Sequence, residues 1–169
     1  NVLVAGIDEQ TDKLKVLLKR LTCAQENQPM GEGAACFILS NQKGEHTYAK
    51  IAAVNMLYRP KDSATIKNRI LQAIKNTGLN PKDIDIILSG NIDASLESDL
   101  LPNAQLVHYK KLCGEYPTST AFAMAVGAKA IQGDVNTKIA LGLNNTPNNL
   151  LIYNQDQNIN HSIIVLSKA

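Results

Sequence analysis

Apolar positions along this chain alternate between short unbroken runs and longer stretches with helical spacing. "NVLVAGI" is an apolar run that predicts a buried strand ending at Gly6. "TDKLKVLLKRL" follows, with Leu14, Leu17, Leu18 and Leu21 at helical intervals and Thr11 or Asp12 as N-cap. Its lysines and arginine, Lys13 to Arg20, alternate with leucines and read as the wet side of that helix. After the loop "ENQPMGEGA", "AACFILSN" predicts a second strand. "KGEH" reads as a turn, with "TYAKIAAVNML" as the pairing strand. "SATIKNRILQAIKNTG" places Ile66, Ile70 and Ile74 every four residues, with Asp62 or Ser63 capping the front and Gly78 closing the end. "DIDIILSG" is apolar at Ile84, Ile86, Ile87 and Leu88, as an interior strand covered on both faces would be. "AQLVHY" predicts another strand. "KIALGLN", "NLLIYN" and "HSIIVLSK" read as closing strands, the last two joined by the hairpin-length "QDQNIN".

The stretch from Thr118 to Ile131 stands apart. Ala121, Phe122, Met124, Ala125, Val126, Ala128, Ala130 and Ile131 leave almost no polar face. A helix apolar all round needs cover on every side. With strands alternating with helices, this predicts an α/β layered fold in which this helix lies between two sheets.

Composition narrows the function classes. Of 169 residues 44% are hydrophobic and 19% charged, which is globular composition. The net charge of +2 is too balanced for a dedicated nucleic-acid surface. No stretch reaches the ~18 consecutive apolar residues of a membrane span, and no signal peptide is visible. Three cysteines, Cys23, Cys36 and Cys113, without C-x-x-C spacing argue against a disulfide framework or a zinc site. A reducing, cytoplasmic setting is expected. Cys36 within its apolar strand is expected in the core, and His161 as a structural residue. The apolar run beginning at the first residue, with nothing before it to pair, leads us to expect the front of a larger protein upstream.

The motifs, in order, resemble the β-ketoacyl-acyl-carrier-protein synthase family of thiolase-like proteins. "VLVAGIDEQT" resembles the family's strand followed by an acidic pair. "MGEGAACFILS" resembles its Gly-Glu-Gly-Ala-Ala turn and strand, and "TGLNPKDIDIILSGN" the strand leading to a His-Gly-Thr turn. "KKLCGEYPTSTAFAMAVGAKAI" resembles the Lys-x-x-x-Gly-His segment with its alanine-rich central helix. "NNLLIYNQDQNINHSIIVLSK" resembles the terminal strand pair. The "GEYPT" wording resembles a short branch found in bacterial lipid and aryl-polyene clusters.

The resemblance implies a thiolase-like sandwich, helices buried between two mixed sheets, of which this is the C-terminal portion. Residues 1–60 would end the first half and 61–169 form the second. Family enzymes acylate a cysteine, decarboxylate a malonyl thioester and join the two, with two histidines steadying the thioester oxygen. That cysteine would lie upstream of Asn1. The first histidine position falls at or near Gly90 and the second on Glu115, while the family lysine is matched by Lys110. Lys110 and Glu115 are the catalytic candidates, and Gly90, Cys113 and Gly114 the substrate-facing ones. Glycine has no donor, and an ionised glutamate repels an oxyanion. Losing one such donor costs roughly 3–4 kcal/mol. Decarboxylative condensation is therefore expected to be altered or lost, as in a chain-length-factor-like partner subunit or an acyl-binding module. Glu115 as a general base in a non-decarboxylating condensation is another reading, and so is Glu115 as a simple helix cap. Lys110 and Lys111 would lower the Cys113 pKa if that thiol were reactive; the bland alternative is a small packed residue. The implied partners are an acyl carrier protein and a second copy or a ketosynthase subunit in a dimer, with no nucleic acid, no membrane, no metal and no organic cofactor.

Overall fold

The computed structural model describes residues 1–20, 29–91 and 93–169, apart from the side chains of 15, 18 and 19. In chain order the elements are β1 (Val2–Asp8), α1 (Asp12–Arg20), β2 (Gly33–Leu39), β3 (Lys50–Tyr58), α2 (Ser63–Asn76) and a 3-10 turn (Pro81–Asp83). Then come β4 (Ile86–Ser89), α3 (Ser95–Leu100), β5 (Gln105–His108), α4 (Lys110–Cys113), α5 (Ser119–Gln132), α6 (Val135–Ala140), β6 (Asn149–Asp156) and β7 (Asn160–Ser167).

A five-stranded sheet of order β3-β7-β6-β4-β5 carries the core. β4 runs parallel to β5 and β6, whereas β6–β7 and β3–β7 are antiparallel. Side chains alternate across it, as the two-residue strand period requires. Ile86, Leu88, Leu150, Ile152, Ile164 and Leu166 pack against Ala123, Ala130 and Ile131 of α5. Ile87, Leu151, Tyr153, Ile163 and Val165 pack on the other face against Ile70, Ala73 and Ile74 of α2. The unbroken apolar run of β4 is thus covered on both sides.

A second, two-stranded sheet of β1 and β2 lies across the far side of α5. A Cβ on Gly6 would stand 3.0 Å from both Ala121 and Thr118, and one on Gly127 would stand 3.1 Å from Leu150. Small residues on opposite sides of α5 let both sheets approach it, so α5 is the middle layer, as its all-round apolar pattern predicts. Ala123, Gly127, Ala130 and Ile131 are buried; Phe122, Met124 and Val126 are half-buried, because only two strands cover that side.

Three expectations are corrected. β2 pairs not with the "TYAKIAAVNML" strand but with β1, in register from Val2↔Leu39 to Asp8↔Gly33. That other strand, β3, pairs with β7. Local sequence favoured the nearer partner; the apolar faces that match are the distant ones. "KIALGLN" is not a strand but the end of α6 and its exit turn. Asp134 caps the helix by accepting from Thr137 N at 2.7 Å, and Gly142 leaves it at φ 66°. Cys36 is exposed and not in the core. It shares a face with Ala34 and Ile38, opposite Ala5, Ile7 and Leu3, and that face points away from α5. Cys23, Leu21 and the Leu18 side chain lie outside the described residues.

The caps follow the sequence. Asp62 accepts from Thr65 N at 2.8 Å at the front of α2, and Gly78 takes φ 83° just beyond its end. Thr11 Oγ1 accepts from Leu14 N at 3.2 Å at the start of α1.

Candidate functional site

Lys110, Cys113, Gly114 and Glu115 come together on the turn between β5 and α5. α4 is a single turn, and Gly114 ends it at φ 77°, a backbone region open to glycine. The segment 29–31 lies along this turn. Glu115 N donates to Pro29 O at 2.8 Å, and Gly31 N donates to Glu115 O at 2.9 Å. A Cβ on Gly31 would meet Cys113 O at 1.9 Å, and one on Gly114 would meet Gly31 at 2.7 Å. The two glycines permit backbone to press on backbone, which gives the "MGEGA" turn its physical purpose.

Lys110 is 5% exposed, and its Nζ lies 2.5 Å from Glu115 Oε2. Glu115 is the more open partner at 37%. The two charges therefore cancel within the turn. The structure brings out an acid–lysine pair, where the sequence resemblance had a lysine and a missing histidine.

Gly90 follows β4 and is buried. A Cβ there would stand 2.2 Å from Asn154 Oδ1 and 2.8 Å from Tyr109 Oη. The space of a side chain at 90 is occupied by β6 and by the end of β5. Tyr109 is fully buried, and burial pushes its phenol up to about 12, so it stays protonated at neutral pH. The nearby Glu115 and Cys113 push it in the same direction. Tyr109 thus closes the space at the Gly90 position.

Cys113 is half-buried, and its thiol is pushed up, chiefly by burial. The Lys110 charge pulls the other way but does not outweigh burial. Its Sγ donates to Gly114 O at 3.4 Å.

Sequence reasoning missed Asp8, Tyr109 and Asn154. Asp8, at the end of β1, accepts from Thr118 N at 2.7 Å and from Thr118 Oγ1 at 2.5 Å, capping α5 from another layer. Asn154 Nδ2 donates to Thr120 Oγ1 at 3.2 Å. A capping partner more than a hundred residues away has no local signal; Tyr109, beside Lys110, had position as its one hint.

An apolar groove of about 220 Å³ runs from this helix entrance between α5 and the small sheet, lined by Val4, Gly6, Phe37, Leu39, Thr120 and Met124 among others. A larger polar cleft of about 310 Å³ lies at the other end of β4 and β5, beside Asp85 and Gln105. Neither cavity is lined by Gly90, Tyr109, Lys110, Cys113, Gly114 or Glu115; the groove comes nearer to them, through Thr118 and Thr120 at the start of α5.

No family model matches the sequence, and no curated protein does. Solved structures do match in shape. The ishigamide ketosynthase/chain length factor is 17% identical, with a TM-score of 0.72 over 98% of this chain and 48% of that one. A β-ketoacyl synthase from Burkholderia phymatum STM815 is 11% identical, with a TM-score of 0.69 over 99% and 54%. The PfaC keto synthase–chain length factor is 17% identical, with a TM-score of 0.63 over 82% and 15%. The chain shares their thiolase-like layered fold and spans about half the length of the first two and less of the third.

Proposed function

From this ketosynthase-type fold we propose that the protein is a component of acyl chain elongation in fatty-acid, polyketide or aryl-polyene synthesis. In this reading it does not carry out decarboxylative condensation; it shapes the acyl pocket of an active ketosynthase subunit and meets its acyl carrier protein. Residues 1–60 and 61–169 belong to the two halves of the sandwich, and these 169 residues are inactive by themselves.

One observation carries the reading: Lys110 is ion-paired to Glu115 at the second histidine position. A carboxylate there cannot donate to a thioester oxyanion, and the lysine that would offset its charge is already engaged. Gly90 adds to this, since Tyr109 and Asn154 fill the space a histidine would need. Lys110 and Glu115 then serve as a structural pair, with Gly90, Cys113 and Gly114 as the floor of the turn. The groove beside Phe37 and Met124 suits an apolar chain.

The test is malonyl-acyl-carrier-protein turnover. The protein alone is expected to release no carbon dioxide. Mixed with its ketosynthase partner, it should alter product chain length, and Met124→Trp in the groove should shorten the product. Decarboxylation by the protein alone would overturn this reading, whereas condensation without release of carbon dioxide, abolished by Glu115→Gln, would establish the general-base reading instead.

A further inference from the structure

We propose that the apolar groove beside α5 is closed toward the Lys110–Glu115 turn and takes the methyl end of an acyl chain, with the chain's head left outside at the Leu39 end. The occupant rests on the acyl-pocket reading above; the direction in which it lies is new.

Strand register orders the groove. Leu39 stands opposite Val2, Phe37 opposite Val4 and Ala35 opposite Gly6. The lining runs from Leu39 through Phe37 and Val4 to Gly6, and Asp8 and Gly33, one step further on the same face, take no part in it. Four residues of strand make this path about 13 Å long. Exposure falls along it, from Val2 at 63% and Val4 at 43% to a half-buried Gly6.

The walls meet at Gly6. A Cβ there would lie 3.0 Å from the Cβ atoms of both Ala121 and Thr118. Carbon atoms pack at about 3.5–4.0 Å, so a methylene chain has no room to pass between β1 and α5 at that level. Just beyond, Asp8 Oδ2 accepts from Thr118 N at 2.7 Å and from Thr118 Oγ1 at 2.5 Å, holding the two walls together. The turn lies past this staple, where Pro29 and Gly31 meet Glu115.

Chemistry sets which end of a chain goes in. No charged side chain lines the groove. At its closed end, between Gly6, Ala121 and Thr118, the Thr118 N–H and O–H are both engaged by Asp8. A carboxylate or thioester buried there would lose water without gaining a donor. A methyl end loses only unfavourable contact with water. An acyl chain so seated points its reactive carbon away from Lys110 and Glu115, toward the subunit that delivers it.

The chain contains no tryptophan, so Leu39→Trp puts a single reporter at the mouth. Dodecanoic acid brominated beside its carboxyl group and dodecanoic acid brominated at its methyl end are titrated in turn, since bromine quenches indole emission on close approach. The first is expected to remove most of the emission and the second little. Ile38→Lys, on the opposite face of the two-stranded sheet, should leave both results unchanged. If Leu39→Trp does not fold, Val2→Trp, across from it and 63% exposed, takes its place. Equal or stronger quenching from the methyl end overturns this direction and leaves the acyl-pocket reading standing. No quenching by either acid, or quenching that Ile38→Lys abolishes, overturns both.

Discussion

Gly90 shows how much a single residue can report once its neighbours are known. Glycine there is required by contact, since a Cβ would lie 2.2 Å from Asn154 Oδ1. Gly90→Ala should cost about 1–3 kcal/mol in urea unfolding, and Asn154→Ala in the same chain should recover part of it. Glu115→Gln leaves a 5%-exposed lysine with a weaker partner. Removing a partner from a fully buried pair costs ~3–5 kcal/mol. Because Glu115 is more than one-third open, about 1–2 kcal/mol is expected here, read from the same unfolding curves. The cysteines give a chemical readout. Cys36 is exposed, while Cys113 is half-buried with its thiol pushed up by burial. Iodoacetamide at neutral pH should therefore label Cys36 well before Cys113, as peptide mass spectrometry would show; equal rates would contradict the burial argument. In the sequence these residues were legible as types at positions. Lys110 and Glu115 stood out there, but their ion pair did not, because an i, i+5 contact depends on the turn that Gly114 makes.

Among elements, the helices were the most legible, since spacing and caps are local. Asp62 heads α2 in both readings, and its hydrogen bonds to Thr65 hold its carboxyl below the usual 3.8. A depressed folded-state value means the cap's contribution is present above about pH 4 and is lost as pH falls through the folded value. Asp62→Asn should therefore flatten the acid side of the stability profile, measured as melting temperature from pH 6 to pH 2.5. Asp134 is held low in the same way by Thr137 and caps α6, which is why "KIALGLN" turned out helical although its apolar letters suit a strand. Strand pairing was less legible. The choice of β1 for β2 and β7 for β3 depends on faces meeting across the molecule, and a strand's own alternation names its faces but not its partner.

At the level of the whole molecule, α5 organises the layers, and the cover around it is uneven. Leu3, Ile7 and Ile38 are 71%, 67% and 75% exposed on the outer face of the small sheet, and Met56 is 79% exposed on β3. Exposed apolar surface of this kind binds hydrophobic dyes. The isolated chain should enhance the fluorescence of anilinonaphthalene sulfonate, and Ile38→Lys should reduce it with no change in far-ultraviolet circular dichroism. Sequence by itself determined that this is an α/β chain, where most of its helices begin and end, and that one alanine-rich helix had to be enclosed. These follow from the periods of 3.6 and 2 and from caps, all of which act within a few residues. Only the tertiary structure decided that Asp8 caps α5 from another layer, that Tyr109 and Asn154 close the space at Gly90, and that Glu97 is buried against Ser89 and Asn91. Each of those depends on distances between atoms remote in the chain, which packing sets and local pattern does not encode.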